Sequence, residues 1–250
     1  MSPDLAVGGV RREIPCMFMT RDRVNVLEAV EVTRVYSIGD RRIPVVDRVS
    51  LSVQASEFLV VEGNSGSGKT TLLSLLSGLD KPTSGRVLVL EKDITDMGED
   101  DLAPLRNEVI GFVFQSYHLV PSLTVLENVM FPAELKRDPA AHEKAQALLD
   151  RTGLTGWGGN YPHQLSGGEK QRVAICRALI NNPKIIFADE PTGNLDSGNG
   201  KAILDLLLEC HRQRQTTLVL VTHSSEIASR ADRVITLQDG RITGERTHGS

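Results

Sequence analysis

The run Gly63-Asn64-Ser65-Gly66-Ser67-Gly68-Lys69-Thr70 constrains the fold more than any other part of the chain. It follows the apolar Leu59-Val60-Val61, which reads as a buried strand, and precedes Thr71 to Leu79, which is apolar and helical in pattern. Small residues between a strand and a helix let backbone N–H groups point into one concavity, where they meet phosphate oxygens. Lys69 adds a point charge near the β and γ phosphates of a nucleotide. Thr70 offers a hydroxyl to Mg²⁺, a hard cation that takes oxygen ligands and retains waters. A plain glycine-rich turn needs none of this context, so the run is read as a phosphate loop.

The 250 residues suit one well-buried core with a smaller lobe attached. A formal net charge of -4 argues against a binder of nucleic-acid backbones, which presents a clustered basic surface, and no nucleic-acid partner is expected. Cys16, Cys176 and Cys210 have no paired spacing that suggests a zinc site or a disulfide framework, which fits a reducing compartment. Asp4, Arg11, Arg12 and Glu13 interrupt any secretory core near the start. Apolar stretches such as Leu218-Val219-Leu220-Val221 are far shorter than the ~20 residues a spanning helix needs. If a membrane is involved, another chain is expected to cross it.

Residues 1–23 lack periodicity and are expected to form a loose extension, with residues 24–250 as the folded unit. From Val24 to Val61, β-branched alternation predicts several strands. Arg86 to Leu90 and Ile110 to Phe114 predict further short ones. Ser116 to Ile180 reads as a helical lobe with Pro and Gly interruptions. Lys184 to Ala188 and Thr217 to Val221 are continuous apolar runs, as expected of strands buried on both faces, with a helical pattern from Lys201 to Cys210 between them. Val234 to Leu237, Asp239-Gly240 and Arg241-Ile242 predict a terminal hairpin.

Asp189 and Glu190 close the strand that starts at Lys184, at the strand end where open α/β sheets place ligands; alone, they read equally as a solvated acidic strand end. Gln115 and His223 each follow an apolar strand. Leu165-Ser166-Gly167-Gly168-Glu169-Lys170-Gln171-Arg172 precedes Val173, Ala174 and Cys176, so Ser166 reads as a helix cap with Glu169 in the first turn. Capping leaves the Gly-Gly pair unexplained.

The phosphate loop, the Ser-Gly-Gly segment and Asp189-Glu190, in that order, resemble the motifs of ATP-binding-cassette ATPases over about Val26 to Ile242. The resemblance implies a P-loop α/β fold with a mixed core sheet, an antiparallel β subdomain and a helical subdomain that carries the signature. It implies ATP contacts from Gly63, Asn64, Ser65, Gly66, Ser67, Gly68, Lys69, Thr70 and Thr71, with Tyr36 stacking on adenine; Tyr36 reads equally as a partly buried strand tyrosine. Mg²⁺ would be held by Thr70, Asp189 and Gln115, while Glu190 acts as general base and His223 lies near the γ phosphate. Ser224 stands where an Asp often follows this histidine.

In the resembled family Ser166, Gly167 and Gly168 meet the nucleotide of a second, head-to-tail copy, and Gly193-Asn194-Leu195-Asp196 resembles the loop that crosses the interface. Pro82-Thr83-Ser84-Gly85 and Leu123-Thr124-Val125-Leu126-Glu127-Asn128-Val129 narrow the resemblance to the lipoprotein-release and macrolide-export subgroup. That implies a separate integral membrane permease, with Tyr117 to Pro132 as the docking region and the ATPase on the cytoplasmic face. Leu119, Val120, Leu123, Val125 and Leu126 of that region read equally as lobe core. Two other readings are a cell-division ATPase that signals to wall hydrolases and a soluble cassette acting on ribosomes or DNA.

Overall fold

A computed structural model of the protein describes residues 24–248, so the expected extension over residues 1–23 lies outside the described residues. The chain runs β1 (Asn25–Ile38), β2 (Arg41–Gln54), β3 (Phe58–Glu62), α1 (Lys69–Leu76), β4 (Ser84–Val89), β5 (Lys92–Asp93), α2 (Glu99–Val109) and β6 (Ile110–Val113). It continues through α3 (Val125–Leu135), α4 (Ala141–Arg151), α5 (Gly167–Leu179), β7 (Ile185–Asp189), α6 (Ser197–Arg214), β8 (Thr217–Thr222), α7 (Ser225–Ala228), β9 (Arg233–Gln238) and β10 (Arg241–Thr247). Two sheets result: an antiparallel one ordered β2-β1-β4-β5, and a mixed one ordered β10-β9-β3-β8-β7-β6 in which only β10 is antiparallel to its neighbour.

Period-two alternation along the central strands divides the core. Phe58, Val60, Ile186, Ala188, Leu218 and Leu220 face one side and join a cluster with α3, α4, α5 and α6. Leu59, Val61, Ile185, Phe187, Val219 and Val221 face the other and join α1 and the antiparallel sheet. Both faces being covered explains why these strands read as unbroken apolar runs. Each such buried aliphatic side chain contributes about 1.5–3 kcal/mol, and Leu220→Ala would lose that and leave a cavity. Val125, Val129, Leu148 and Leu149 of the helical lobe belong to the same cluster as the sheet face, so lobe and sheet are continuous in their packing.

Several boundaries differ from expectation. The helix after the phosphate loop starts at Lys69 and ends at Leu76, three residues short of Leu79, because Gly78 turns left-handed at φ 68°. Residues 116–124 are not helical: the buried Asn128 side chain accepts from the Val120 N–H and donates to the carbonyls of Val120, Leu123 and Thr124, folding the segment onto α3. Thr124 then caps α3 through a reciprocal box with Glu127. Sequence reading also missed α2, whose buried apolar content is Leu102 alone and which carries Pro104. Its acidic start at Glu99, Asp100 and Asp101, with Arg106 in the last turn, matches the helix dipole.

Candidate nucleotide site

The phosphate loop leaves β3 at the C-terminal end of the parallel strands and enters α1. A Cβ on Gly63 would lie 2.2 Å from the Leu237 carbonyl oxygen, and one on Gly68 would lie 2.4 Å from that of Val45, so β9 and β2 wall the loop too closely for any side chain there. No side chain caps α1, and its first turn carries no acid, which leaves the helix N-terminus open to an anion. The loop and residues 236–239 enclose a cleft of about 200 Å³. Ser67 Oγ is buried with no hydrogen-bond partner, as suits a cradle built for phosphate oxygen. Lys69 Nζ donates to the carbonyl oxygens of Gly63 and Asn64, 2.9 Å each, which holds the ammonium across the loop.

Thr70 and Asp189 meet directly: Thr70 Oγ1 donates to Asp189 Oδ1 at 3.2 Å. Burial pushes the Asp189 carboxyl above its ordinary value and the neighbouring Glu190 charge adds to this, whereas the Thr70 bond and Lys69 oppose it. A hydroxyl and a carboxylate are hard oxygen donors that fit Mg²⁺, and the Gln115 amide oxygen is a donor of the same class. Among the described residues no cluster of three or more His, Cys, Asp or Glu side chains could hold a metal by itself, so waters and phosphate oxygens would complete the shell of an ion here.

Glu190 follows at φ 44°, a left-handed conformation costing about 1–3 kcal/mol for a non-glycine residue. Its N–H donates to the Val221 carbonyl and its own carbonyl accepts from the Gly193 N–H, so the strand end and the following turn fix that conformation. Its Oε1 meets His223 Nδ1 at 2.9 Å and Oε2 accepts from Thr222 Oγ1 at 3.5 Å. A bond donated to the carboxylate requires the imidazole proton on Nδ1.

Gln115 does not touch Asp189 or Thr70 through any hydrogen bond. Its Nε2 donates to Asn194 Oδ1 at 3.3 Å, and Asn194 Nδ2 donates back to the Gln115 carbonyl at 3.0 Å. A Cβ on Gly193 would lie 2.9 Å from Gln115 Nε2 and 3.5 Å from the Glu190 Cβ, which places the amide beside the catalytic candidate.

Ser166 caps α5 through a reciprocal box with Glu169, and the hydroxyl bond holds the Glu169 carboxyl below its ordinary range. Built Cβ atoms on Gly167 and Gly168 would have as nearest neighbours Tyr117, Leu195, Asn194 and Asn199, none of them in the phosphate loop. Within one chain, the signature therefore packs on the 193–199 segment and is held apart from the loop's own contacts. Tyr36 lies on β1 with its hydroxyl donating to Asp80 Oδ2 at 2.9 Å and the Arg34 guanidinium 4.6 Å from its ring centroid. Arg34 bonds Asp80 as well, at 2.8 Å. Tyr36 pairs with Ile43, two residues from the Val45 that walls the loop, so the ring stands on the β1–β2 ribbon that flanks the phosphate loop.

Sequence reading did not single out Arg34, Thr222 or Arg177. The only sequence trace of their roles is proximity to Tyr36, His223 and the signature, because their partners Asp80, Glu190 and the 117–118 carbonyls are remote in sequence.

The family model for ABC transporters matches residues 46–193. The chain belongs to the ABC transporter family. Its fold is that of an ABC ATPase cassette: it superposes with a TM-score of 0.84 on the dimeric post-hydrolysis structure of the ATP-binding cassette MJ0796 bound to ADP and Pi, at 39% identity, covering 90% of this chain and 100% of that one. Among curated ABC relatives, it is 48% identical over 217 residues to the pyoverdine export ATP-binding/permease protein PvdT of Pseudomonas syringae pv. tomato, covering 86% of this chain and 33% of that protein. It is 44% identical over 221 residues to the macrolide export ATP-binding/permease protein MacB of Chlorobaculum tepidum, covering 88% of this chain and 34% of that protein. The chain thus spans about a third of the length of these relatives. Among the described residues, no helix is long and apolar enough to cross a membrane.

Proposed function

We propose that this chain is the ATP-binding and ATP-hydrolysing cassette of an ABC export system, working as a head-to-tail pair and driving a membrane permease from the cytoplasmic face. The observation that carries the reading is the convergence of Thr70 on Asp189 and of His223 on Glu190 at the mouth of the phosphate cradle. Gly63 to Thr71 hold the triphosphate, with Lys69 as point charge, and Tyr36 receives adenine. Thr70, Asp189 and the Gln115 amide oxygen are the residues that would hold Mg²⁺, which when bound supplies neutralising charge to the β and γ oxygens.

Hydrolysis then adds water oxygen to the γ phosphorus, breaks the bond to the bridging oxygen and releases ADP and phosphate. Glu190 takes the water's proton, and His223, bonded through Nδ1, holds the carboxylate in place. Ser166, at the capped N-terminus of α5, meets the γ phosphate of the second copy. The separation of the Gly167-Gly168 pair from this chain's own loop supports that division of labour.

A groove of about 360 Å³ between α2, β6, α3 and α5 supports permease docking. Leu79, Phe131 and Leu135 are exposed on it, while Phe112 and Phe114 stack at 4.1 Å in its wall. Docking on this groove would extend past the expected Tyr117 to Pro132. Of the candidate apolar positions in that stretch, Val125 is core and Val120 is exposed. The names of the curated relatives favour export over signalling. The test is ATP turnover of the purified chain with Mg²⁺ as a function of protein concentration: a shared site requires specific activity to rise with concentration, and flat specific activity would reject it.

A further inference from the structure

The segment after β6 turns through two consecutive left-handed residues, Tyr117 at φ 62° and His118 at φ 46°. Such a pair of non-glycine residues persists only where surrounding structure holds it. Here the holder is one side chain on α5: Arg177 Nη2 donates to the Tyr117 carbonyl at 2.8 Å and Nη1 to the His118 carbonyl at 2.5 Å. The planar guanidinium fork meets both adjacent carbonyls at once, which a lysine ammonium cannot reproduce. About three turns earlier on α5, Gly167 faces the hydroxyl of the same Tyr117, where a Cβ would sit 3.0 Å from that oxygen. The signature helix thus bonds the segment through Arg177 and lies close against it at Gly167.

From Tyr117 the path to the reaction is short. Gln115 lies two residues back, exchanges hydrogen bonds with Asn194 and stands against Gly193, whose N–H is bonded to the Glu190 carbonyl. Arg177 and His118 also line the apolar groove between α2 and α3. We propose that Arg177 is a positioning residue that sets Gln115 relative to Glu190 and ties that placement to the groove. The proposal rests on Gln115 acting in ATP hydrolysis, as read above.

The experiment uses the full chain with Arg177→Met, which keeps the apolar stem and removes the fork, and Arg177→Lys, which keeps the charge and at most one of the two bonds. In nucleotide-free protein, amide exchange over residues 115–119 is expected to speed up roughly tenfold in Arg177→Met while β7 and β8 keep their protection. ATPase kcat is expected to fall about tenfold with KM for ATP little changed, Arg177→Lys lying between. In a Gln115→Ala background the Arg177→Met change is expected to add less than about twofold, since both act through one amide.

Unchanged exchange at 115–119, or fully multiplicative losses in the double variant, would overturn the assignment. If Arg177→Met fails to fold, Arg177→Lys carries the same cycle. If the unaltered chain hydrolyses no ATP, the functional reading fails, and the exchange measurement still decides whether Arg177 holds the segment.

Discussion

His223 Nδ1 lies 2.9 Å from Glu190 Oε1, and Glu190 makes this contact from a left-handed backbone fixed on both sides by main-chain hydrogen bonds. The carboxylate is therefore held by its own strand end and by the residue after β8 together. Glu190→Gln keeps the shape and removes the basicity. It is expected to lower steady ATP turnover by about 10²- to 10⁴-fold while retaining ATP binding and ATP-dependent pairing. Phosphate release assays and sizing of the purified variant with ATP check both halves. Unchanged turnover would show that another group takes the proton.

The strand–loop–helix unit was legible in sequence because its glycines, lysine and threonine have local causes: close walls, an uncapped helix and a cleft for phosphate. The position of Asp189 and Glu190 was legible because a buried apolar parallel strand puts its first polar residues at its C-terminal end, where open α/β sheets place ligands. What stayed hidden is whatever depends on distant segments. Asp80 reaches Tyr36, Arg177 reaches Tyr117 and His118, and Asn194 reaches Gln115 across folds of the chain that no local pattern encodes. The helix α2 stayed hidden for a different reason, since one buried leucine gives no apolar stripe to read.

Ser166 caps α5 through Glu169 and is exposed, so its hydroxyl also faces the chain's surroundings. Ser166→Arg is expected to bind ATP normally but to hydrolyse it poorly and fail to pair. Ser166→Ala separates the local role: loss of the cap costs about 1 kcal/mol of stability without adding bulk at the interface. Nucleotide binding, turnover and sizing of both variants check this, and full activity of Ser166→Arg would reject the shared site.

Asp80 holds the Tyr36 hydroxyl and the Arg34 guanidinium that covers the ring. If this triad fixes the adenine platform, Asp80→Ala loosens the ring without touching the phosphate cradle. Stacking on a base is worth about 1–3 kcal/mol, so ATP affinity is expected to fall by roughly 5- to 160-fold. Binding of inorganic tripolyphosphate is expected to stay unchanged. Calorimetric titration with both ligands checks the contrast; equal losses would place the effect in folding, and tighter ATP binding would mean that Asp80 restrains the ring away from the base.

Asp189 gives a stability signature with a definite sign. Burial raises its carboxyl above the unfolded value near 3.8, so at acid pH both states are protonated and the residue contributes nothing to pH dependence. As pH rises through 3.8 the unfolded chain ionises first, and the folded state loses relative stability until the buried carboxyl ionises as well. Asp189→Asn keeps an acceptor for Thr70 and cannot ionise. Without nucleotide or Mg²⁺ it is expected to melt above the parent at neutral pH, with the gain shrinking toward zero as pH falls below about 4. The same variant is expected to lose most of the stabilisation that Mg²⁺ with ATP confers, because the carboxylate that costs stability in the free chain is the one assigned to the ion. Scanning calorimetry from acid to neutral pH, with and without Mg²⁺ and ATP, checks both signs. A variant that melts below the parent at neutral pH, or by a pH-independent margin, would show that the carboxylate is compensated in the free protein.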